Sequence, residues 1–317
     1  MGANAPLGDR SSRESKSSRN RDLSSPSHEL SLLTPRITFS SETSDTYVAR
    51  IVLQQAPDID GFFSFGAGGP YNEMARSIRE ISPLMHKNGK LFMAGIAPFY
   101  RGLGNNFRVF ESNGFEGMQK RWLAAIEADA DWVELVTWND WSEATYLKPF
   151  GRPQESIWKH PAWRSLPDHG AFLQASRFYL DWFKTGAPPP IQRDRIFYFY
   201  QLHPRSAEGT RDFSSLDRGR PKFWEQLTDQ FHLATFLTSP AHLSVRIGDH
   251  SHSLNLPAGA QLVSVPMSLG RVVLRVERGD KLLGEAELPF PIRSDAGTEN
   301  FNYFTGELAL DAWRSAP

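Results

Sequence analysis

Between Tyr47 and Gly186 the sequence alternates strand-like and helix-like segments, and no other feature restricts the fold as sharply. Strands joined through helices pair in parallel, with right-handed crossovers. YVARIVLQ (47–54) and GFFSF (61–65) read as strands. Met74, Ile78, Ile81 and Met85 recur at helical spacing, which predicts a helix over 71–87 closed by Gly89. The apolar run from Leu91 to Phe99 predicts a further strand, and Met118, Trp122 and Ile126 mark a helix from about 115 to 128. A fourth strand opens at Trp132. Asp168 is placed to cap a helix whose Phe172, Ser176, Tyr179 and Phe183 share a face. Gly186 and the prolines at 188–190 stop it.

Beyond those prolines the pattern changes. Arg195–His203, Phe231–Thr238, His242–Gly248, Ala260–Met267, Arg271–Gly279 and Lys281–Phe290 are short alternating segments separated by Gly, Pro and Asp, with no competing helical period. This predicts an antiparallel β-sandwich domain over 188–317. Residues 1–45 are the opposite case. They are rich in Ser and Arg and poor in aromatics, so they lack the apolar surface to offset their ordering entropy, and disorder is expected there.

Composition removes several function classes. A net charge of −1 with mixed signs gives no electrostatic case for nucleic acid or an anionic membrane surface. No apolar run approaches the roughly 18 residues of a membrane span. The chain has no cysteine, which excludes disulfides and thiolate metal sites. No His/Asp/Glu cluster has metal-ligand spacing, and neither a phosphate-binding glycine loop nor a nucleophile elbow is present. No metal and no organic cofactor are expected.

The stretch WVELVTWNDWSEATYLKP (132–149) concentrates the chemistry. Its alternation sends Val133 and Leu135 toward packed helices and Glu134, Val136 and Trp138 to the other face. Asp140 and Glu143 then follow at the strand's C-terminal end, flanked by Trp138, Trp141 and Tyr146. Two carboxylates so placed suit glycoside hydrolysis, in which one acid protonates the leaving oxygen and the other acts as base or nucleophile. The same residues also fit a solvated acidic turn after an ordinary strand. Positions three apart lie at most about 10 Å apart at their α-carbons. That permits carboxyl separations of about 5 Å (retaining) or about 6.5–9.5 Å (inverting). Trp138 and Trp141 are candidates to stack on sugar rings, or core residues; Asn139 is a candidate to hydrogen-bond a sugar hydroxyl or to shape the turn, and Tyr146 to line a cleft. Asp60 precedes GFFSF as a turn cap or substrate contact. Tyr100 and Arg101 open a long loop, 98–114, of the kind that commonly carries function. Glu134 is expected to accept hydrogen bonds from interior groups, and His160 to lie at the surface or a cap.

The 132–149 stretch resembles the signature segment of glycoside hydrolase family 71, the α-1,3-glucanases or mutanases, whose pattern runs approximately E-I/V-x-T-W-N-D-x-x-E-S-x-Y-x-x-P. Ala144 stands where the pattern has Ser, and Lys148 where it has Gly. DIDGFFSFGAGGPY (58–71) and GKLFMAGIAPFYRGLGNN (89–106) resemble the family's preceding strand-and-loop units. The similarity runs from about residue 50 to the C-terminus. It implies that Asp140 and Glu143 are the catalytic pair, that the reaction inverts, and that the partner is an α-glucan polysaccharide. It also implies a secreted or cell-wall setting. The N-terminal stretch lacks the continuous apolar segment of a signal peptide, and a truncated or misassigned N-terminus reconciles the two.

A complete (β/α)₈ barrel takes about 250 residues, whereas 46–187 offers four strands. The expected architecture is therefore α/β plus all-β: the C-terminal half of a TIM barrel bearing the carboxylates, then a β-sandwich. An open half-barrel exposes sheet edges and an apolar face, which invites self-association. The rival expectations are a catalytically impaired glycan-binding or structural remnant, and a glycosidase acting on another α-linked glycan.

Overall fold

The computed structural model describes residues 32–33, 45–102, 106–148, 167–208, 219–295 and 301–310. Asn105, Pro149 and His160 lie outside them, as does 1–44 except Leu32 and Leu33. The first part of the chain holds strands β1 (Leu32–Leu33), β2 (Gly61–Ser64), β3 (Leu91–Ile96), β4 (Tyr100–Arg101), β5 (Val109–Phe110) and β6 (Trp132–Leu135). Its helices are α1 (Asp45–Gln55), α2 (Tyr71–Lys87), α3 (Glu116–Glu127) and α4 (Gly170–Thr185). Strands β1, β2, β3 and β6 form one parallel sheet in that order.

Two expectations are corrected here. YVARIVLQ is not a strand but most of α1. Its β-branched residues suggest a strand, yet Val48 and Val52, and Ala49 and Leu53, are four apart and join one core. The Thr46 hydroxyl also donates to Glu80 of α2 at 2.6 Å. Packing against α2 thus overrides propensity. The fourth sheet position is instead taken by Leu32–Leu33, inside the segment expected to lack structure.

The other elements sit close to where their patterns place them. Helix α2 ends as expected: Gly89, at φ +68°, donates to the His86 carbonyl, and Lys90 N–H to that of Met85. Asp168 accepts the Gly170 N–H at 2.6 Å, and Gly186 closes α4 at φ +78°. On the helix-facing side of the sheet, Phe62, Phe92, Ala94 and Ile96 are fully buried against α2 and α3. Among the described residues no strand joins β1 to β6, so the sheet has two edges.

Among the described residues the second part's elements are strands apart from one 3₁₀ turn: β7 (Arg195–Gln201), β8 (Gln230–Leu237), β9 (Ala241–Ile247), β10 (His250–Leu256), β11 (Gly259–Pro266), β12 (Val272–Arg278), β13 (Lys281–Glu287) and β14 (Tyr303–Leu308). They form two antiparallel sheets, β11-β8-β7-β14 and β10-β9-β12-β13. Strands β7 and β8 of the first are buried on both faces, with a strict period of two. Ile196, Tyr198, Tyr200, Phe231 and Leu233 join the core shared with the second sheet. Phe197, Phe199, Ala234 and Phe236 join the core of the parallel sheet and its helices. The prolines at 188–190 therefore divide element types but not packing, and the described residues fall in one compact unit. Glu111 pins the seam. Its buried carboxylate accepts hydrogen bonds from Ser112 and Asn113 N–H, from Thr228 N–H and from the Tyr303 hydroxyl at 2.6 Å.

A carboxylate pair at the sheet's C-terminal end

After β6 the chain continues the ladder for one bond, Val136 N–H to the Ile96 carbonyl, then doubles back. Thr137 N–H donates to the Thr145 carbonyl, and Leu147 and Lys148 donate to the carbonyls of Thr137 and Trp138. These bonds close the loop 139–144 as a unit. Within it the Thr137 hydroxyl accepts the Asp140 N–H at 2.9 Å. Asp140 Oδ1 accepts from the Ser142 hydroxyl at 2.7 Å and from the Glu143 N–H at 3.1 Å. A turn built by an aspartate on its own backbone is common; here it also places the second carboxylate directly after the first. Ala144 closes the turn at φ +56°, a conformation that costs an alanine more than a glycine.

Glu143 is tied to β4 by backbone and side chain. Arg101 N–H donates to its carbonyl at 2.9 Å, and the Tyr100 hydroxyl donates to Oε1 at 3.2 Å. Partial burial raises the Glu143 pKa above the usual carboxylate range, and the charge of Asp140 adds to the rise; the Tyr100 hydrogen bond and the Arg108 charge oppose it. Burial and the nearby Glu143 push the Tyr100 phenol up to about 12, which keeps it a proton donor at neutral pH. The result is a carboxyl group suited to hold a proton beside a carboxylate already used as an acceptor.

The other expected site residues divide. Trp138 (57% exposed) and Asn139 stand at the surface beside the pair, and Trp141 is half-buried against the main core. Asp60 does not belong with them. It precedes β2, its carbonyl accepting from Leu91 at the start of β3, so it lies at the sheet end opposite the carboxylates. Arg101 and Tyr146 are at the correct end but fully buried. Tyr146 stacks on His169 at 4.1 Å and donates to the Pro167 carbonyl, so it packs the seam and lines no cleft. Glu134 was expected to be held by interior groups; it is exposed, because β6 is the sheet's edge. Sequence reading missed Arg108, although it falls in the suspected 98–114 loop. Gly68, in the glycine loop 66–69 that follows β2, packs against the Tyr100 ring, where an added Cβ would sit 2.9 Å from it. A cavity of about 630 Å³ lies elsewhere, between α4 and β7–β8, and includes Arg177, Phe178, Arg193 and Phe236. It lacks an acid–base pair, so the chemistry is sought at Asp140 and Glu143. Among the described residues no group of three or more His, Cys, Asp or Glu is placed to hold a metal ion.

The sequence model of Glycosyl hydrolase family 71 matches residues 18–316. A mutanase of Penicillium rubens is 26% identical over 221 residues, covering 69% of this chain and 48% of that protein. The glucan endo-1,3-alpha-glucosidase of Schizosaccharomyces pombe is 25% identical over 264 residues, covering 78% and 58%. An ascus wall endo-1,3-alpha-glucanase of the same yeast is 22% identical over 282 residues, covering 82% and 64%. The chain thus spans between about half and just under two thirds of these curated relatives. Among solved structures, a GH99 endo-alpha-mannosidase from Bacteroides thetaiotaomicron matches 51% of this chain and 46% of its own at 15% identity. Its TM-score of 0.36 is too low to define the fold.

Proposed function

Because this chain belongs to Glycosyl hydrolase family 71, we propose that it is a glycoside hydrolase of α-1,3-glucan whose acid–base pair is Glu143 and Asp140. The observation that carries the reading is the local asymmetry of the two carboxylates. Glu143 is half-buried, raised in pKa and hydrogen-bonded by Tyr100, which suits a general acid delivering a proton to the glycosidic oxygen. Asp140 accepts from Ser142 and the Glu143 N–H, and acts as the base that takes a proton from the attacking water. Water attack on the opposite face inverts the anomeric centre, the outcome the resemblance implies. Trp138 and Asn139, exposed beside the pair, contact the sugar.

In the same reading the parallel sheet is half of a TIM barrel and the two antiparallel sheets are a β-sandwich fused to it. The boundaries are those of the sequence: a barrel part over 46–187 and a sandwich part over 188–317. The open sheet supports a second reading, in which the chain binds α-glucan without turning it over. Incubation with α-1,3-glucan, followed by reducing-end release and by pelleting with the insoluble polymer, separates the two. Release that Asp140→Asn abolishes supports the hydrolase. Pelleting without release supports the binding protein, and neither signal overturns both.

A further inference from the structure

We propose that Phe223, from the β7–β8 connection, is a sugar-stacking residue that extends the glucan-binding surface away from Asp140 and Glu143. The inference rests on the glucanase reading and names a subsite within it. Three rings are in contact in series, starting at the acid. Tyr100, whose hydroxyl reaches Glu143, lies 5.6 Å from Phe110, and Phe110 stacks on Phe223 at 5.4 Å with 24° between planes. Tyr100 and Phe110 are buried, whereas Phe223 is 41% exposed. The series therefore ends in an aromatic ring open to solvent, two ring contacts from Tyr100.

The backbone argues that this ring is held out for a purpose. Phe223 has φ +69° and ψ 15°, the left-handed region that a bulky residue rarely enters and that glycine or asparagine would occupy at lower cost. The strain is sustained on both sides. Lys222 exchanges backbone hydrogen bonds with β5 and its approach, accepting from Val109 at 3.0 Å and donating to Phe107 at 3.1 Å. Downstream, the Gln226 N–H returns to the Phe223 carbonyl and Leu227 is fully buried. The Arg220 guanidinium covers Trp224 at 4.4 Å. A ring fixed in this way loses little entropy when a ligand covers it.

The matching ligand is neutral, flat and amphipathic: a pyranose ring, which lays its C–H face on an aromatic and leaves its hydroxyls in water. The arrangement also gives the antiparallel region a part in binding, since Phe223 comes from that half of the chain and stacks on a residue of the catalytic half.

The test is calorimetric titration of the full chain, in an Asp140→Asn background that preserves the ligand, with α-1,3-linked glucose oligomers of two to six units. In that background Phe223→Ala should weaken binding of the hexamer about three- to tenfold and leave the dimer unchanged, while Phe223→Trp restores it. Phe223→Gly should lose the same affinity yet melt no lower than Phe223→Ala, because glycine relieves the left-handed backbone. Equal affinities for all oligomers with and without the Phe223 ring overturn the subsite, as does a loss shared equally by dimer and hexamer. Phe223-dependent binding of an α-1,4- or α-1,6-linked hexamer in place of the α-1,3 series supports the platform and removes the α-1,3 assignment. Absence of binding to every glucan removes both.

Discussion

Strands β7 and β8 are buried on both faces, whereas the parallel sheet is closed on its helix side and only in part on the other, where Phe63 and Val136 are buried but Trp132 and Glu134 are exposed. In the former, Ile196, Phe197, Phe199 and Tyr200 are all essentially inaccessible. In the latter, the row Phe63–Met93–Trp132 crosses three strands in register on the face away from the helices. Exposure rises along it until Trp132 stands 38% open, and Trp138 beyond it is 57% open. A parallel sheet is normally covered on both sides. The difference separates two jobs. The antiparallel region completes its core and supplies stability, while the parallel sheet's second face is open where β6 begins and covered by Val136, Tyr100 and Phe110 toward the end where the carboxylates gather.

The sharpest way to test that division is to alter chemistry without touching the core. Asp140→Asn and Glu143→Gln should each lower any glucanase turnover by two or more orders of magnitude. Both should leave the thermal midpoint within a degree or two of the wild type, as expected of sites outside the core. A large fall in midpoint would mean that the carboxylate loop is itself structural.

Next comes a paired substitution across the two regions. Leu243→Ala removes a fully buried side chain from the antiparallel core and should cost about 2–5 kcal/mol by denaturant titration. Trp132→Ser, on the open face, should cost less than about 1 kcal/mol and should reduce binding of a hydrophobic dye. Equal costs would show that the parallel sheet's second face is covered in solution, by self-association or by another chain.

The seam between the regions should respond to acid. His169 is fully buried, with Nδ1 3.1 Å from the Tyr146 carbonyl oxygen and Nε2 3.1 Å from Asn302 Oδ1 and the Tyr303 carbonyl oxygen; burial holds its pKa down to about 4. The unfolded imidazole titrates near 6.5, so unfolding takes up a proton between the two values. The stabilisation is complete above about pH 6.5 and is lost as pH falls to about 4, amounting to on the order of 3 kcal/mol. His169→Gln should flatten that part of the stability profile. An unchanged slope would assign the acid sensitivity to other groups.

The smallest effect concerns tuning. Tyr100→Phe removes a donor that favours ionised Glu143, so the Glu143 pKa rises further. The protonated acid then persists to higher pH, and the alkaline limb of the activity profile should move up by less than about one unit. A downward shift would contradict the assignment of Glu143 as the acid.

Much of the fold is legible where burial and local periodicity agree. Met74, Ile78, Ile81 and Met85 mark α2 because one face of that helix packs, and all four are buried. Strands β7 and β8 are visible as long apolar runs because both faces are covered. Strand β10, with the polar sequence HSHSLNL, carries little signal of its own and exists through its ladder with β9. Strand β14 likewise depends on pairing with β7, a partner about a hundred residues earlier.

By itself the sequence determined the alternation that makes a parallel sheet, the change to antiparallel strands after the prolines, and the adjacency of Asp140 and Glu143. Each follows from residues within a few positions of one another, where sterics and hydrogen bonding act directly. Only the tertiary structure decided that Tyr47–Gln54 is helical and that Tyr146 packs the seam. It alone brought Tyr100 and Arg108 to Glu143, and Phe223 onto Phe110 beside them. Those outcomes depend on which distant surfaces exclude water together, and a linear pattern of side chains does not encode that distance.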